Sequence, residues 1–254
     1  MEHIDLAWLL IIAGGGFIAS FIDSVVGGGG LVSLPLLLAT GMPAATALGT
    51  NKLAGTCSSL TSTLSFIASG KMNWRLVLRL FPLTLAGAVG GAFAVRHLPS
   101  DWLKPLVVVM LLLVTVYTFV KKSWGQRSTY NGLSARSAVL MAAAAFGLGF
   151  YDGFFGPGTG SFLIFLFLAL GFDFVTAAGN AKGLNFASNI ASLAAFAAFG
   201  LIHYGYGLPM GAAMIAGSLV GSRLAIRKGA SYVRPLFLVI CCVLIGKQAW
   251  DLLT

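Results

Sequence analysis

The sequence predicts an all-α polytopic membrane protein of two inverted repeats, each with four long transmembrane helices and one short, broken half-helix. Three observations predict it: a charge-poor composition, an internal repeat at a fixed offset, and glycine-rich interruptions at the same place in both copies. Of 254 residues, 58% are hydrophobic and 9% are charged. An ordinary soluble domain carries roughly 25% charged residues. So little polar surface does not wrap a water-soluble globule of this size. Several apolar runs exceed the ~18 residues that suggest a bilayer span. The 33 glycines fit the same class, because small residues let membrane helices approach closely.

Net charge is +9, but the lysines and arginines sit in short loops between apolar runs. That is the pattern of topology determinants, and nucleic acid is not an expected partner. Cys57, Cys241 and Cys242 lie in apolar runs without metal-ligand spacing. They read as buried small hydrophobes, and neither a metal nor a cofactor is expected. The opening residues, Met1 to Asp5, lack the positively charged start of a signal peptide, so the first apolar run reads as a membrane helix.

The repeat is visible directly. Gly49-Thr50-Asn51-Lys52 and Gly179-Asn180-Ala181-Lys182 stand 130 residues apart. The same offset carries Thr46 onto Thr176, Gly70 onto Gly200, and Gly87 and Gly91 onto Gly217 and Gly221. It also carries Lys104-Pro105-Leu106 onto Arg234-Pro235-Leu236. Asp23 and Gly27 match Asp152 and Gly156 at an offset of 129, one residue being inserted near Gly160. The units are placed at 5–122 and 135–254, joined by a cytoplasmic linker at 123–134.

Each unit begins with a break. Apolar residues 6–26 reach Asp23 and run into the four glycines 27–30. Four consecutive glycines cost a helix about 1 kcal/mol each, so the helix is expected to stop there. A short piece follows at 31–40, about 15 Å long at 1.5 Å per residue, or half a bilayer of ~30 Å. Spans near 45–69, 75–96 and 102–121 complete the unit. The second unit repeats this at 137–155, 160–171, 175–199, 208–226 and 232–250. Pro35, Pro82 and Pro209 read as kinks or early-helix positions, and Gly87-x-x-x-Gly91 and Gly217-x-x-x-Gly221 as close helix packing. His97 and His203 read as loop histidines without a role.

Basic residues set the topology. Lys71, Arg75 and Arg79 mark one inside loop; Lys121, Lys122, Arg127 and Arg136 mark the linker; Arg223, Arg227, Lys228 and Arg234 mark another. The 201–208 connection has no lysine or arginine and belongs outside. These assignments agree when each unit crosses the membrane an odd number of times, so the copies are inverted and both termini face outside. Arg96 and Lys104 fall in an outside loop, against the rule. Inverted repeats place a binding site near the bilayer midplane, at broken helices.

Of the seven acids, Asp23 and Asp152 alone lie deep inside apolar stretches, while Glu2, Asp5, Asp101, Asp173 and Asp251 lie at ends or loops. Lys52 and Lys182 are the matching bases. A charge at the bilayer centre costs at least ~2.5–3.5 kcal/mol, so two equivalent pairs point to a purpose. Lys52 and Lys182 offer positive charge to a small anionic substrate. The glycine breaks at Gly28 and Gly29, and at Gly158 and Thr159, offer backbone N–H groups at helix starts. Asn51, Asn180, Asn185 and Asn189 complete a polar lining with Ser58 and Ser59, part of a hydroxyl-rich face that also holds Thr56, Thr61, Ser62 and Thr63. Asp23 and Asp152 balance the lysines or couple transport to protons. The structural alternative is that the aspartates pair with the lysines and hold the breaks together.

The doubled motifs Asp23-x-x-x-Gly27 and Gly49-x-Asn51-Lys52, with their copies at Asp152 and Lys182, resemble the TauE/SafE family of membrane permeases over residues 8–250. The resemblance implies a multi-pass protein of the bacterial inner membrane that moves sulfite, sulfoacetate or related organosulfur anions. The second copy departs from the first, with Ala181 for Asn51 and Pro157 for Gly28; Asn180 is the substitute one position earlier. The expectation is a secondary transporter, not an enzyme, working by alternating access between the units. No G-x-x-x-x-G-K-[ST] segment is present, so direct ATP use is not expected. Two alternatives use the same residues. An anion channel would use the lysines. An intramembrane aspartyl protease would use the two aspartates, but an adjacent lysine lowers a carboxylate pKa and spoils proton sharing. The expected partners are the small anion and the lipid bilayer, and the sequence leaves a homo-oligomer open.

Overall fold

A computed structural model describes residues 6–95 and 125–253. The expected span at 102–121, with Arg96, His97, Asp101, Lys104, Lys121 and Lys122, lies outside the described residues, as do Glu2 and Asp5. The first half contributes α1 (Leu6–Val26), α2 (Gly30–Leu38), α3 (Ala44–Ala68) and α4 (Trp74–Ala94). The second contributes α5 (Ala135–Phe154), α6 (Thr159–Ala169), α7 (Phe174–Ala198), α8 (Tyr204–Lys228) and α9 (Ala230–Leu253). All elements among the described residues are helices.

Local chemistry sets the boundaries. Both breaks form where glycine takes φ values that side chains resist: 77° and 83° at Gly27 and Gly28, 95° and 89° at Gly156 and Gly158. Asp173 caps α7, its Oδ1 accepting from the N–H groups of Val175 and Thr176 at 3.0 Å each. Asn73 caps α4 by accepting from the Leu76 N–H at 3.2 Å. His203 caps α8, its Nδ1 accepting from the Tyr206 N–H at 3.2 Å. The sequence reading of His203 as an idle loop residue is thereby corrected. The same cap starts α8 at Tyr204 rather than at 208. Pro35, Pro82 and Pro209 all lie inside helices.

Four helices among the described residues, α1, α4, α5 and α8, are long and apolar enough to cross a membrane. The 25-residue helices α3 and α7 are as long, but carry Lys52 and Lys182 amid polar side chains and fall short in apolarity. They sit where apolar character is least needed. α7 buries 17 of its residues, Asn180, Lys182, Asn185, Ser188 and Asn189 among them.

The halves interlock. α1 packs along α8 and α4 along α5, so the first helix of each half lies on the fourth helix of the other. α3 lies between α7 and α8, and α7 between α3 and α4. Absent side chains make these approaches possible. A Cβ at Gly87 or Gly91 would strike the carbonyl oxygens of Phe146 or Phe150 on α5. One at Gly217 or Gly221 would strike those of Phe17 or Phe21 on α1. On the opposing faces, Gly149 and Gly153 meet α4 backbone at Thr84 and Ala88. Their repeat equivalents on α1, Ser20 and Ser24, fold their hydroxyls onto α1 carbonyls, Ser20 onto Phe17 at 3.0 Å and Ser24 onto Ser20 at 2.8 Å.

Two further points refine the sequence reading. Cys57 is only half-buried and Cys242 is exposed, so neither is the buried hydrophobe expected; nothing is described for the Cys241 side chain. The described part of the linker is pinned to the second half. The Phe174 N–H donates to the Gly125 carbonyl at 2.8 Å, and Tyr130 stacks on Phe172 with ring centroids 4.1 Å apart.

Candidate functional site

The two breaks meet. A Cβ at Gly27 would collide with the backbone of Gly160 and Ser161, and the Ser161 hydroxyl donates to the Val26 carbonyl at 3.0 Å. The starts of α2 and α6 therefore face one another, and around them closes a cavity of about 40 Å³. At roughly 10–15 Å³ per water-sized group, that is room for about three such groups.

Four charges from four helices meet at the cavity, in two ion pairs that each join one half to the other. Lys52 Nζ on α3 lies 3.0 Å from Asp152 Oδ1 on α5. Lys182 Nζ on α7 lies 2.6 Å from Asp23 Oδ2 on α1. The structural alternative raised from sequence, pairing of aspartate with lysine, is what the side chains do. The pairing runs across the repeat, where the sequence left the partners open. Both lysines are buried, Lys52 at 2% and Lys182 at 0% exposure. No site residue stands as an isolated cation, since two lysines and two aspartates sum to zero charge.

Backbone and neutral groups complete the lining. Asp23 Oδ1 accepts from the Gly29 N–H at 3.2 Å, so this break donor is already engaged by a carboxylate. Asn51 Oδ1 accepts from the Ser33 hydroxyl at 2.6 Å, tying α3 to α2. Asn189 Nδ2 donates to the Asn185 carbonyl at 2.7 Å, and its amide also faces Gly55 on α3. The Ser58 hydroxyl is buried, lines the cavity and has no hydrogen-bond partner. Gly156 has φ 95°, and a Cβ there would sit 2.9 Å from Lys52 Nζ. Glycine at this position lets the lysine reach across the break.

Ten of the residues named from sequence line the cavity: Asp23, Gly28, Gly29, Asn51, Lys52, Ser58, Asp152, Gly158, Asn185 and Asn189. Lys182 stands behind Asp23 rather than in the wall. Three others are used elsewhere. Asn180 Oδ1 accepts from the Asn73 backbone N–H at 2.7 Å, steadying the start of α4. Its repeat equivalent Thr50 does the same for α8, accepting from the His203 N–H at 2.9 Å. Asn180 is therefore a helix-end tie and not a substitute for Asn51. The Ser59 hydroxyl bonds its own helix at the Gly55 carbonyl, 2.7 Å away. The Thr159 hydroxyl bonds the Gly156 carbonyl at 2.7 Å and closes the second break.

Sequence reasoning missed Ala19, Ser20, Ser33, Gly55, Gly160 and Met214, all in the wall. Ser33 was within reach, as a hydroxyl one turn into the short helix. Met214 carried no signal, because an apolar side chain in an apolar helix looks like any other. The aspartates each face a lysine, not each other's proton, which is an arrangement unsuited to a shared-proton carboxylate pair.

Comparison with known proteins adds to this geometry. The family model described as "Sulfite exporter TauE/SafE" matches residues 12–247. A protein of Sinorhizobium named "probable membrane transporter protein" is 38% identical, the match covering 94% of this chain and 90% of the relative. One of Haemophilus influenzae with the same name is 35% identical over 98% and 96%. One of Escherichia coli is 33% identical over 92% and 87%. No solved structure gives a significant match.

Proposed function

The chain belongs to the sulfite exporter TauE/SafE family of membrane transporters, and from that premise we propose that it carries a small oxyanion, sulfite or a small sulfonate, through the cavity where the two breaks meet. One observation carries this reading: a glycine-lined cavity of about 40 Å³ that holds Lys52, an unpartnered Ser58 hydroxyl and the starts of two short helices. Room for about three water-sized groups suits an anion of a few heavy atoms better than a long organic solute. Helix starts favour negative charge through their N–H groups and dipole. Lys52, Lys182, Asn51, Asn185, Asn189 and Ser58 are the side chains proposed to serve the anion, with Asp23 and Asp152 as its competitors for the lysines.

Alternating access between the two halves is the mechanism that the two cross-half ion pairs support. At the centre the halves are tied by the two ion pairs, the glycine crossing and the Ser161–Val26 hydrogen bond, while each half keeps its own short helix. A substrate that replaces a carboxylate on a lysine loosens one cross-half tie, which lets the halves move relative to one another. Inverted repeats with a central site are the usual frame for such movement. This reading includes an inverted topology with both termini outside in a bacterial inner membrane; a reporter fused at Thr254 tests it, and a cytoplasmic signal contradicts it.

Transport is tested with the purified chain in proteoliposomes, offering sulfite, sulfate, methanesulfonate, sulfoacetate and acetate. Saturable counterflow of a labelled small sulfur oxyanion is expected. Absence of counterflow with every anion overturns the proposal, and conductance far above carrier rates points to a channel.

A further inference from the structure

The two aspartates of the site are not in the same state of satisfaction. Asp23 is 17% exposed at its side chain, pairs with Lys182 through Oδ2 and accepts the Gly29 N–H through Oδ1. Asp152 is 3% exposed at its side chain and pairs with Lys52 through Oδ1 alone. Its Oδ2 is buried without any hydrogen-bond partner. A buried carboxylate oxygen that lacks a donor is a costly group. Asp152 lines the same cavity as Lys52 and the Ser58 hydroxyl.

Charge balance then restricts what enters. Two lysines and two aspartates leave the site neutral, so an anion arriving alone adds an uncompensated charge inside a poorly solvated protein, which is strongly disfavoured. An anion arriving with a proton does not. We propose that Asp152 is the proton-accepting group of the site: a proton from the aqueous side binds Asp152 Oδ2, the neutral carboxyl releases Lys52, and the ammonium group takes the anion. One proton and one negative charge enter together, and both leave together when the carboxyl ionises and re-pairs with Lys52. The proposal rests on the anion site described above and names its coupling ion.

The other groups facing Asp152 fit this assignment. Lys52 on α3 is its direct partner. Asp23 on α1 lies across the cavity but is held by Lys182 of α7 and a backbone N–H. Tyr151, beside it on α5, has its hydroxyl committed to the Pro157 carbonyl. The segments α2 and α6 contain no titratable residue, and α4 approaches α5 there through Thr84 and Ala88.

Two measurements on the full chain in nanodiscs test it, with sulfite and methanesulfonate as probes, the latter ionised throughout the pH range. If one proton accompanies each anion, the Kd for methanesulfonate rises tenfold per pH unit above the pH at which the carboxyl ionises in the free protein. Infrared difference spectra on anion addition gain the carbonyl stretch of a protonated carboxyl. Asp152→Glu moves that band, and Asp23→Glu leaves it in place. A pH-independent Kd, binding without the band, or a band that moves only in Asp23→Glu overturns the proposal. Failure of both probes to bind at any pH overturns instead the anion site on which it rests.

Discussion

The two ion pairs occupy equivalent positions of a duplicated sequence and live in different surroundings. Lys182 is sealed at 0% exposure behind an Asp23 that reaches the cavity at 17%. Lys52 lines the cavity directly, against an Asp152 that is almost as buried as itself, at 2% and 3%. Duplication thus supplies two copies of a pair, and local substitutions make them unequal. Asn51 in the first copy corresponds to Ala181 in the second, and Gly28 to Pro157. The first copy's carboxylate accepts the Gly29 N–H; the second copy's keeps an unsatisfied oxygen. One pair is a closed tie and the other an open one.

The comparison is broken most strongly by truncating the lysines one at a time. Removing one partner of a buried ion pair costs about 3–5 kcal/mol when the other is left uncompensated. Lys52→Ala strands Asp152 with no partner at all and is expected to approach that range. Lys182→Ala leaves Asp23 with the Gly29 N–H and access to the cavity, and is expected to cost measurably less. Thermal unfolding of the two variants in detergent checks the order, and equal losses would erase the distinction. Asp23→Ala and Asp152→Ala, by contrast, each strand a buried lysine and are expected to be alike.

Next in size are the glycines that let the pairs form. Gly156→Ala places a side chain at φ 95° and a Cβ 2.9 Å from Lys52 Nζ. Left-handed backbone alone costs a non-glycine residue about 1–2 kcal/mol, and the lysine must also shift. Anion affinity is expected to fall together with stability. Gly87→Ala strikes only the α5 backbone at Phe146 and Phe150, so it is expected to cost about 1–3 kcal/mol as overpacking does, while affinity in the folded fraction holds. Binding isotherms corrected for active fraction separate the two.

The smallest effect is expected at the helix-end ties. Asn180→Ala and Thr50→Ala each remove one acceptor from a backbone N–H, at Asn73 and His203. Loss of such a cap costs about 1 kcal/mol, and anion selectivity is expected to stay unchanged in both. A selectivity change in Asn180→Ala would return that residue to the site.

Much of this was legible in the sequence, for reasons that can be named. The breaks were readable because consecutive glycines oppose a helix, and the structure ends α1 at Val26 and begins α2 at Gly30. The buried charges stood out because apolar helices contain so few. The repeat aligns Asp23 with Asp152 and Lys52 with Lys182 in the sequence itself. Which aspartate met which lysine was not legible, since it depends on α1 lying along α8 and α5 along α4. Nor was the fate of Asn180 legible: its neighbour Lys182 turns toward Asp23, while the asparagine two positions earlier points at the start of α4. A helical step of two residues faces a different side, and the repeat alignment with Thr50 was the clue to its tie.

The central claim is that the paired lysines serve the transported anion. Its most direct test is counterflow of labelled sulfite in proteoliposomes holding equal amounts of folded wild-type, Lys52→Ala and Lys182→Ala protein. The account predicts saturable counterflow in the wild type, and its loss or sharp reduction in both variants, with Lys52→Ala the more severe. Undiminished counterflow in both variants would contradict it.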